Sequence, residues 1–318
     1  MDQVQLGRTG LMVGVAGLGC GGFSRLGQRQ GRSEAESVAL VRTALDEGVN
    51  FFDTAENYGT ETIVGKALRD VDRDRVVIST KTVVARSGAV RPVAEIVASL
   101  NASLERLGMA HVDVFHLHAV PPALLDHVLE QVLPALQREQ QAGKIRHLGI
   151  TETAPNDPGH EMLARALPLD HFDVVMVAFH MLHQSARERV FPLTLANGVA
   201  TLIMFAVREI FSKPARLTAE LQRLAEDGQL DDALRDPERA LGFLVHDGGA
   251  RSLVDAAYRF CRHEPGADVI LFGTGSVDHL RANIESICRP PLPAADLERL
   301  HKAFAHLTDV GLDAPSGG

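Results

Sequence analysis

Short apolar runs alternate along this chain with segments of helical period. Val13–Leu18, Asn50–Asp53, Val76–Thr80, Val112–His118, His147–Thr151, Val174–Ala178, Thr201–Phe205 and Val269–Phe272 are rich in β-branched residues and read as strands. Between them, apolar positions recur three and four residues apart. Ser33-Glu34-Ala35-Glu36 has the form of a capping box, with Val38, Val41, Ala44 and Leu45 keeping helical spacing behind it. The same spacing predicts helices over Ile63–Leu68, Val93–Leu107, Ala123–Gln141, Glu161–Ala166, Ala186–Ala196 and Val277–Ile287, several stopped by a glycine. Met1–Leu11 reads as a hairpin-like lead-in turning at Gly7–Gly10.

Eight such strands, each followed by a helix, predict an α/β fold of the closed (β/α)8 TIM-barrel type rather than an open sheet. The alternation stretches after the seventh strand, where Ala206–Gly266 reads as an insert, and Ala294–Leu307 adds a C-terminal helix. No linker or repeat divides the chain, so residues 1–318 read as a single barrel domain with a loose tail from Asp309. In this fold chemistry gathers at the C-terminal ends of the strands. Asp53, Lys81, His118, Thr151, Phe205 and Gly273 all fall at or just beyond such ends.

Composition narrows the function. A formal charge of -9 with no basic stripe argues against a nucleic-acid surface, though a few local donors suffice for an anionic cofactor. The 3 cysteines are far apart and form no C-x-x-C, which suits a reducing compartment. No secretory signal and no apolar run of about 18 residues is present, so the expected location is the cytoplasm, away from membranes.

The most suggestive stretch is Asn50-Phe51-Phe52-Asp53-Thr54-Ala55-Glu56-Asn57-Tyr58-Gly59. It is a strand ending in a carboxylate, with one of only 2 tyrosines in the chain five residues on. By itself it is also a serviceable turn, since Asp, Asn and Gly punctuate turns generally. A lysine such as Lys81 at the buried end of a strand needs a partner, which Asp53 could supply. His116 and His118 share one face of their strand, while Phe115 and Leu117 take the other. Gly17-Leu18-Gly19-Cys20-Gly21-Gly22 satisfies G-x-G-x-x-G, but no helix follows until Ser33. A dinucleotide fingerprint requires the helix to start at the glycines, so these are expected to let a barrel loop approach a ligand instead.

Taken together, Phe52–Gly59, Thr80-Lys81, Asp113–His118, Gly273-Thr274 and Asn283 resemble the aldo-keto reductase superfamily in residue type and order, over about residues 3–290. The resemblance implies reduction of an aldehyde or ketone by NADP(H), with NAD(H) as the alternative cofactor. Tyr58 would protonate the carbonyl oxygen, Lys81 held by Asp53 would lower the phenol's pKa, and His118 would orient the small-molecule carbonyl substrate. Cofactor contacts carried over are Thr151 and Glu152 for the carboxamide and Phe205 for ring stacking. Gly273, Thr274, Gly275, Ser276, His279 and Asn283 would serve the phosphate end. The chain departs from the family where Met176 replaces a glutamine and where Gly275 replaces a cation, for which Arg281 could substitute.

Two other readings compete. A metal-dependent hydrolase could use His116, His118, His180, His183 and Asp53, although no metal site is expected because that reading leaves Tyr58 and Lys81 idle. A reductase-like cofactor-sensing or partner-binding protein with little turnover would fit the altered carboxamide pocket. Phe23, Phe205 and Phe211 are candidate pocket walls, and Arg208 a candidate anchor for an anionic substrate.

Overall fold

The computed structural model describes residues 1–312. Among these, eight parallel strands close into a barrel. In chain order they are β1 (Ala16–Gly19), β2 (Phe51–Asp53), β3 (Val77–Val83), β4 (Val112–Val120), β5 (Ile145–Glu152), β6 (Val174–Ala178), β7 (Ala200–Met204) and β8 (Val269–Phe272), with β8 pairing back to β1. Helices lie outside: α1 (Glu34–Asp46), α2 (Glu61–Leu68), α3 (Val93–Leu107), α4 (Leu133–Gln141), α5 (Glu161–Ala166), α6 (Phe191–Asn197), α7 (Leu253–Arg262) and α8 (Val277–Cys288), followed by Ala294–Phe304. No helix among the described residues is long and apolar enough to cross a membrane.

Strand alternation sorts the core into two layers. Phe115 and Leu117 of β4 face outward into the main cluster beneath the helices, while Val114 joins an inner cluster with Phe51, Val77, Val174, Met176 and Leu202. That inner cluster fills the barrel floor, and Leu6 and Val13 of the N-terminal hairpin close it from below. The hairpin pairs Gln3–Gln5 with Met12–Gly14, so the apolar run read as one strand from Val13 is divided: its first residues plug the floor, and the barrel strand begins at Ala16.

Three other expectations change in detail. Lys81 lies inside β3 rather than at its end. The segment expected as one helix over Ala123–Gln141 is broken into short turns, including a π-helical turn at Val128–Val132, before α4 begins. Pro134 cannot donate a backbone hydrogen bond to the preceding turn, which forces the helix to re-form around it. The supposed insert contains α7, the barrel's own seventh helix, whose Ala256, Ala257, Phe260 and Cys261 are buried. The residues additional to the barrel are those ahead of it, including a helix at Pro214–Glu226.

The tail is also better ordered than expected. Val310 and Leu312 are buried, at 0% and 1% exposed, so Val310–Leu312 is packed, while Asp309 before it is exposed. The rest of the tail lies outside the described residues.

Candidate active site

At the C-terminal mouth the ends of β2, β3 and β4 bring Asp53, Lys81, His118 and the loop residue Tyr58 together. Lys81 Nζ donates to Asp53 Oδ2 at 2.6 Å and to the Thr54 carbonyl at 2.7 Å, with both ionised side chains almost fully buried. Ser79, cross-strand from Asp53, donates to its other oxygen at 2.7 Å. Two charges this deep persist only because each is met by the other and by further hydrogen bonds. Burial works to lower the Lys81 pKa, but Asp53 outweighs it and the net direction is up, so the ammonium stays charged.

Tyr58 stands over this pair, its ring 4.9 Å from Lys81 Nζ. The phenol oxygen is 3.5 Å from His118 Nε2, and the two rings meet edge to face at 5.7 Å. That separation is long for a direct hydrogen bond, but an oxygen atom lying to one side of the pair, about 2.8 Å from each, would bond to both. The phenol's pKa is raised, chiefly by burial, with Lys81 opposing. Lys81 therefore acts on the phenol in the expected direction, but in this buried site desolvation of a phenolate costs more than the lysine returns. Burial, helped by Lys81, pushes His118 down to about 3, so its imidazole is neutral at physiological pH.

The loop that carries Tyr58 is anchored by contacts not anticipated from the sequence. Glu56 accepts from Thr82 Oγ1 at 2.8 Å, the Val83 N–H at 3.2 Å and Arg91 Nη1 at 2.9 Å. Burial alone would raise its pKa, but these bonds prevail and lower it, so the anchor is ionised. The Glu56 N–H donates in turn to the Lys81 carbonyl at 3.0 Å. Glu56 is visible within the Asp53–Gly59 stretch, but nothing in the sequence points to Arg91, which arrives from the turn before α3.

The glycine loop after β1 packs on Tyr58. Gly21 lies flat against the Tyr58 ring, which leaves no room for a side chain. His116 points inward beside Gly149, its register partner on β5, with no hydrogen-bond partner on either nitrogen. Burial drives its pKa well down, which makes it a neutral packing group below His118. A bulge follows His118, where Ala119 takes a left-handed φ of 51° and its N–H donates to Thr151 Oγ1 at 2.7 Å.

The strand ends on the opposite side of the mouth hold the expected cofactor positions. Thr151 is buried and keeps a hydroxyl proton to give. Both oxygens of Glu152 are engaged: Oε1 accepts from the Ala178 N–H and Oε2 is 2.8 Å from His160 Nδ1. Phe205, at φ 69°, is capped by the Arg208 guanidinium 4.0 Å above its ring, and Arg208 also lies 5.3 Å from the Phe23 ring. Phe211 has turned into the core against His180.

Next to them, α8 begins at Val277 behind Ser276, whose N–H donates to Thr274 Oγ1. Gly273 is exposed, and Gly275 packs so closely on Gly27 and Gln30 that a Cβ would meet the Gln30 side chain at 2.6 Å. His279 and Asn283 follow on α8, exposed and half-buried respectively, while Arg281 is tied to Glu47 at 2.7 Å. An exposed glycine, two hydroxyls and the start of a three-turn helix suit a pyrophosphate, so this rim fits a dinucleotide. The histidines of the hydrolase reading do not converge, and among the described residues no three or more His, Cys, Asp or Glu side chains are placed to share a metal ion.

The barrel alone does not fix an activity, and comparison with known proteins supplies the class. The sequence model described as the Aldo/keto reductase family matches residues 17–305, and the chain belongs to that family. Among curated relatives it is 36% identical to an L-galactose dehydrogenase of Arabidopsis thaliana, across 98% of this chain and 96% of the relative. Among solved structures it is similar in fold to the aldo-keto reductase AKR11C1 of Bacillus halodurans in its holo form, with a TM-score of 0.75 at 24% identity over 96% of this chain and 98% of that one. It is likewise similar to an aldo/keto reductase of Klebsiella pneumoniae in complex with NADP and acetate, with a TM-score of 0.67 at 22% identity over 95% of each chain.

Proposed function

We propose that this oxidoreductase interconverts the carbonyl or hemiacetal carbon of a small polyhydroxylated sugar with its neighbouring oxidation state, using a nicotinamide dinucleotide. The observation that carries the reading is the 3.5 Å gap between Tyr58 Oη and His118 Nε2 above the Lys81–Asp53 pair. A substrate oxygen lying beside both atoms, within hydrogen-bond distance of each, accepts a hydrogen bond from the neutral His118 ring and exchanges a proton with Tyr58. Lys81 supports the phenolate that this exchange creates, and Asp53 and Ser79 keep the ammonium in place. The bound nicotinamide would supply or accept the hydride, which no side chain can do.

A sugar substrate is proposed from the relative of 36% identity, whose name specifies L-galactose. For the cofactor, Thr151 would meet the carboxamide, with Glu152 fixing the strand end beside it. The face of Phe205 would receive the ring once Arg208 moves aside. Gly273, Thr274, Gly275 and Ser276 at the start of α8 would take the pyrophosphate, with His279 and Asn283 further along the same face. Arg281 is already held by Glu47, so discrimination for a 2′-phosphate is expected to be weak, with NADP(H) and NAD(H) both accepted.

Purified protein assayed with L-galactose and a panel of aldoses, and in reverse with simple aldehydes, tests the reading through nicotinamide absorbance. Tyr58→Phe should lower kcat by about 10²–10⁴-fold with cofactor binding retained. A Tyr58→Phe protein that turns over a good substrate at the wild-type rate overturns it.

A further inference from the structure

Behind the strand ends that would face the nicotinamide lies a buried group of titratable side chains that the chemistry above does not use. Asp309 N–H donates to His183 Nδ1 at 3.1 Å, so that nitrogen carries no proton and a neutral His183 is protonated at Nε2. His183 Nε2 is 3.3 Å from His160 Nε2 and 3.2 Å from Ser185 Oγ. His160 Nε2 is also 2.9 Å from Ser185 Oγ, and its Nδ1 lies 2.8 Å from Glu152 Oε2. Glu152 Oε1 accepts from the Ala178 N–H at 2.8 Å. With Glu152 ionised, one assignment satisfies every member: Asp309 donates to His183, His183 to His160, and His160 to Glu152. The chain of bonds runs from the C-terminal segment to the ends of β5 and β6.

The segment it holds packs on the mouth. Val310 and Leu312 are 0% and 1% exposed, and Leu312 clusters with Ala154 and Ala178, with Met204 and Phe205 against them. We propose that Glu152, His160 and His183 are positioning residues that seat Asp309–Leu312 as an apolar wall on the β5–β7 rim, and that protonating this relay releases the wall. A proton on His183 Nδ1 would face the Asp309 N–H, and one on His160 Nε2 would face the His183 N–H, donor against donor in either case. That the wall serves a cofactor site rests on the function proposed above; the seating itself does not.

Charge around the relay sets its direction. His183 is pushed down to about 2, mainly by burial and then by His180 and His160. His180, facing the Val310 backbone, is held at about 3 by burial, with Arg208 also lowering it. Burial raises the Glu152 pKa, opposed by His160 and the Ala178 N–H, and Asp157 adds to the rise from the turn before α5, where it accepts from the Glu161 and Met162 N–H groups. A seated His183 therefore resists protonation, whereas a released one returns towards about 6.5, so acid favours release.

Hydrogen exchange of the Val310–Leu312 amides in the full-length protein, corrected for intrinsic rate, tests this without turnover. Protection is expected to fall about tenfold between about pH 7.5 and pH 5.5, as linkage to one histidine requires. His183→Asn keeps an acceptor for Asp309 that cannot be protonated, so it should stay protected and lose the pH dependence. His183→Leu should exchange freely at both pH values and raise the KM for the nicotinamide cofactor several-fold, with kcat at saturation within about twofold. Wild-type protection that does not change with pH, or the same pH dependence in His183→Asn, overturns the relay. An unchanged KM in a freely exchanging His183→Leu protein overturns the role of the wall while leaving the proposed chemistry standing.

Discussion

Gly21 and Tyr58 fit face to face: a Cβ at residue 21 would sit 2.5 Å from Tyr58 Cδ2 and 2.7 Å from Cζ. The glycine loop after β1 is thereby a template for the aromatic ring. Gly21 is buried beside the floor of that loop, and its neighbour Cys20 is fixed by an N–H bond to the Asp53 carbonyl. Gly21→Ala is expected to leave the barrel folded and to push the phenol out of line with His118. Displacement of about 1 Å can cost 10²-fold. Steady-state kinetics should show a fall in kcat of about that size, with Tm within a few degrees of wild type. A variant with normal kcat would mean that the ring shifts without consequence.

Lys81 and Asp53 are each intolerable without the other. Lys81→Met leaves the Asp53 carboxylate buried with the Ser79 hydroxyl as its remaining side-chain partner, a loss of about 3–5 kcal/mol. Pairing it with Asp53→Asn removes the stranded charge and should recover most of that stability in urea titrations. Turnover should stay low in both, because neither supports a phenolate at Tyr58. Recovery of activity with stability would assign the pair to folding alone.

The pH dependence follows from two opposite shifts. The Tyr58 pKa is raised by burial, so the protonated acid persists across the neutral range and the reduction should be flat there. Oxidation needs the phenolate, and kcat in that direction should climb about tenfold per pH unit without a plateau below pH 10. His118 is depressed to about 3, against about 6.5 unfolded. The unfolded chain binds this proton first, so the contribution of a neutral His118 is complete above about pH 6.5 and is lost as pH falls towards about 3. Urea midpoints recorded across that window should decline in wild type and decline less in His118→Gln.

How far these features were legible depended on whether they are local. Strand-end placement of Asp53 and Thr151 follows from short apolar runs and short loops, so the barrel and its mouth could be read directly. Lys81 and His118 lie inside their strands rather than at the ends: β3 continues to Val83, paired with His118, and β4 continues to Val120, a partnership the local pattern does not reveal. The Glu152–His160 contact joins the end of β5 to the N-cap of α5 through an irregular loop, and Arg91 reaches Glu56 across 35 positions, so neither leaves a periodic trace. Pro134 was a readable signal for the break before α4, outweighed by the apolar spacing around it. The packed Val310–Leu312 segment was hidden by its neighbours in sequence, since proline and glycine just beyond it suggest looseness while Val310 and Leu312 carry the burial.

In the proposed function, cofactor preference would turn on Arg281, the cation one turn into α8. Its Nε donates to Glu47 Oε1 at 2.7 Å, and the pair is largely solvent-exposed, so the bond is cheap to exchange. A 2′-phosphate competing for that guanidinium must displace a carboxylate that is already in contact and brings a repulsive charge nearby. Glu47→Gln removes both obstacles without touching the mouth. Fluorescence titrations should then show NADPH binding tightened about 2- to 5-fold and NADH binding unchanged, the small effect expected of a solvent-screened ion pair. Arg281→Ala should abolish the difference between the two mutant affinities. Equal tightening of both cofactors would place the effect of Glu47 in the net field of the rim and remove Arg281 from the recognition of the phosphate.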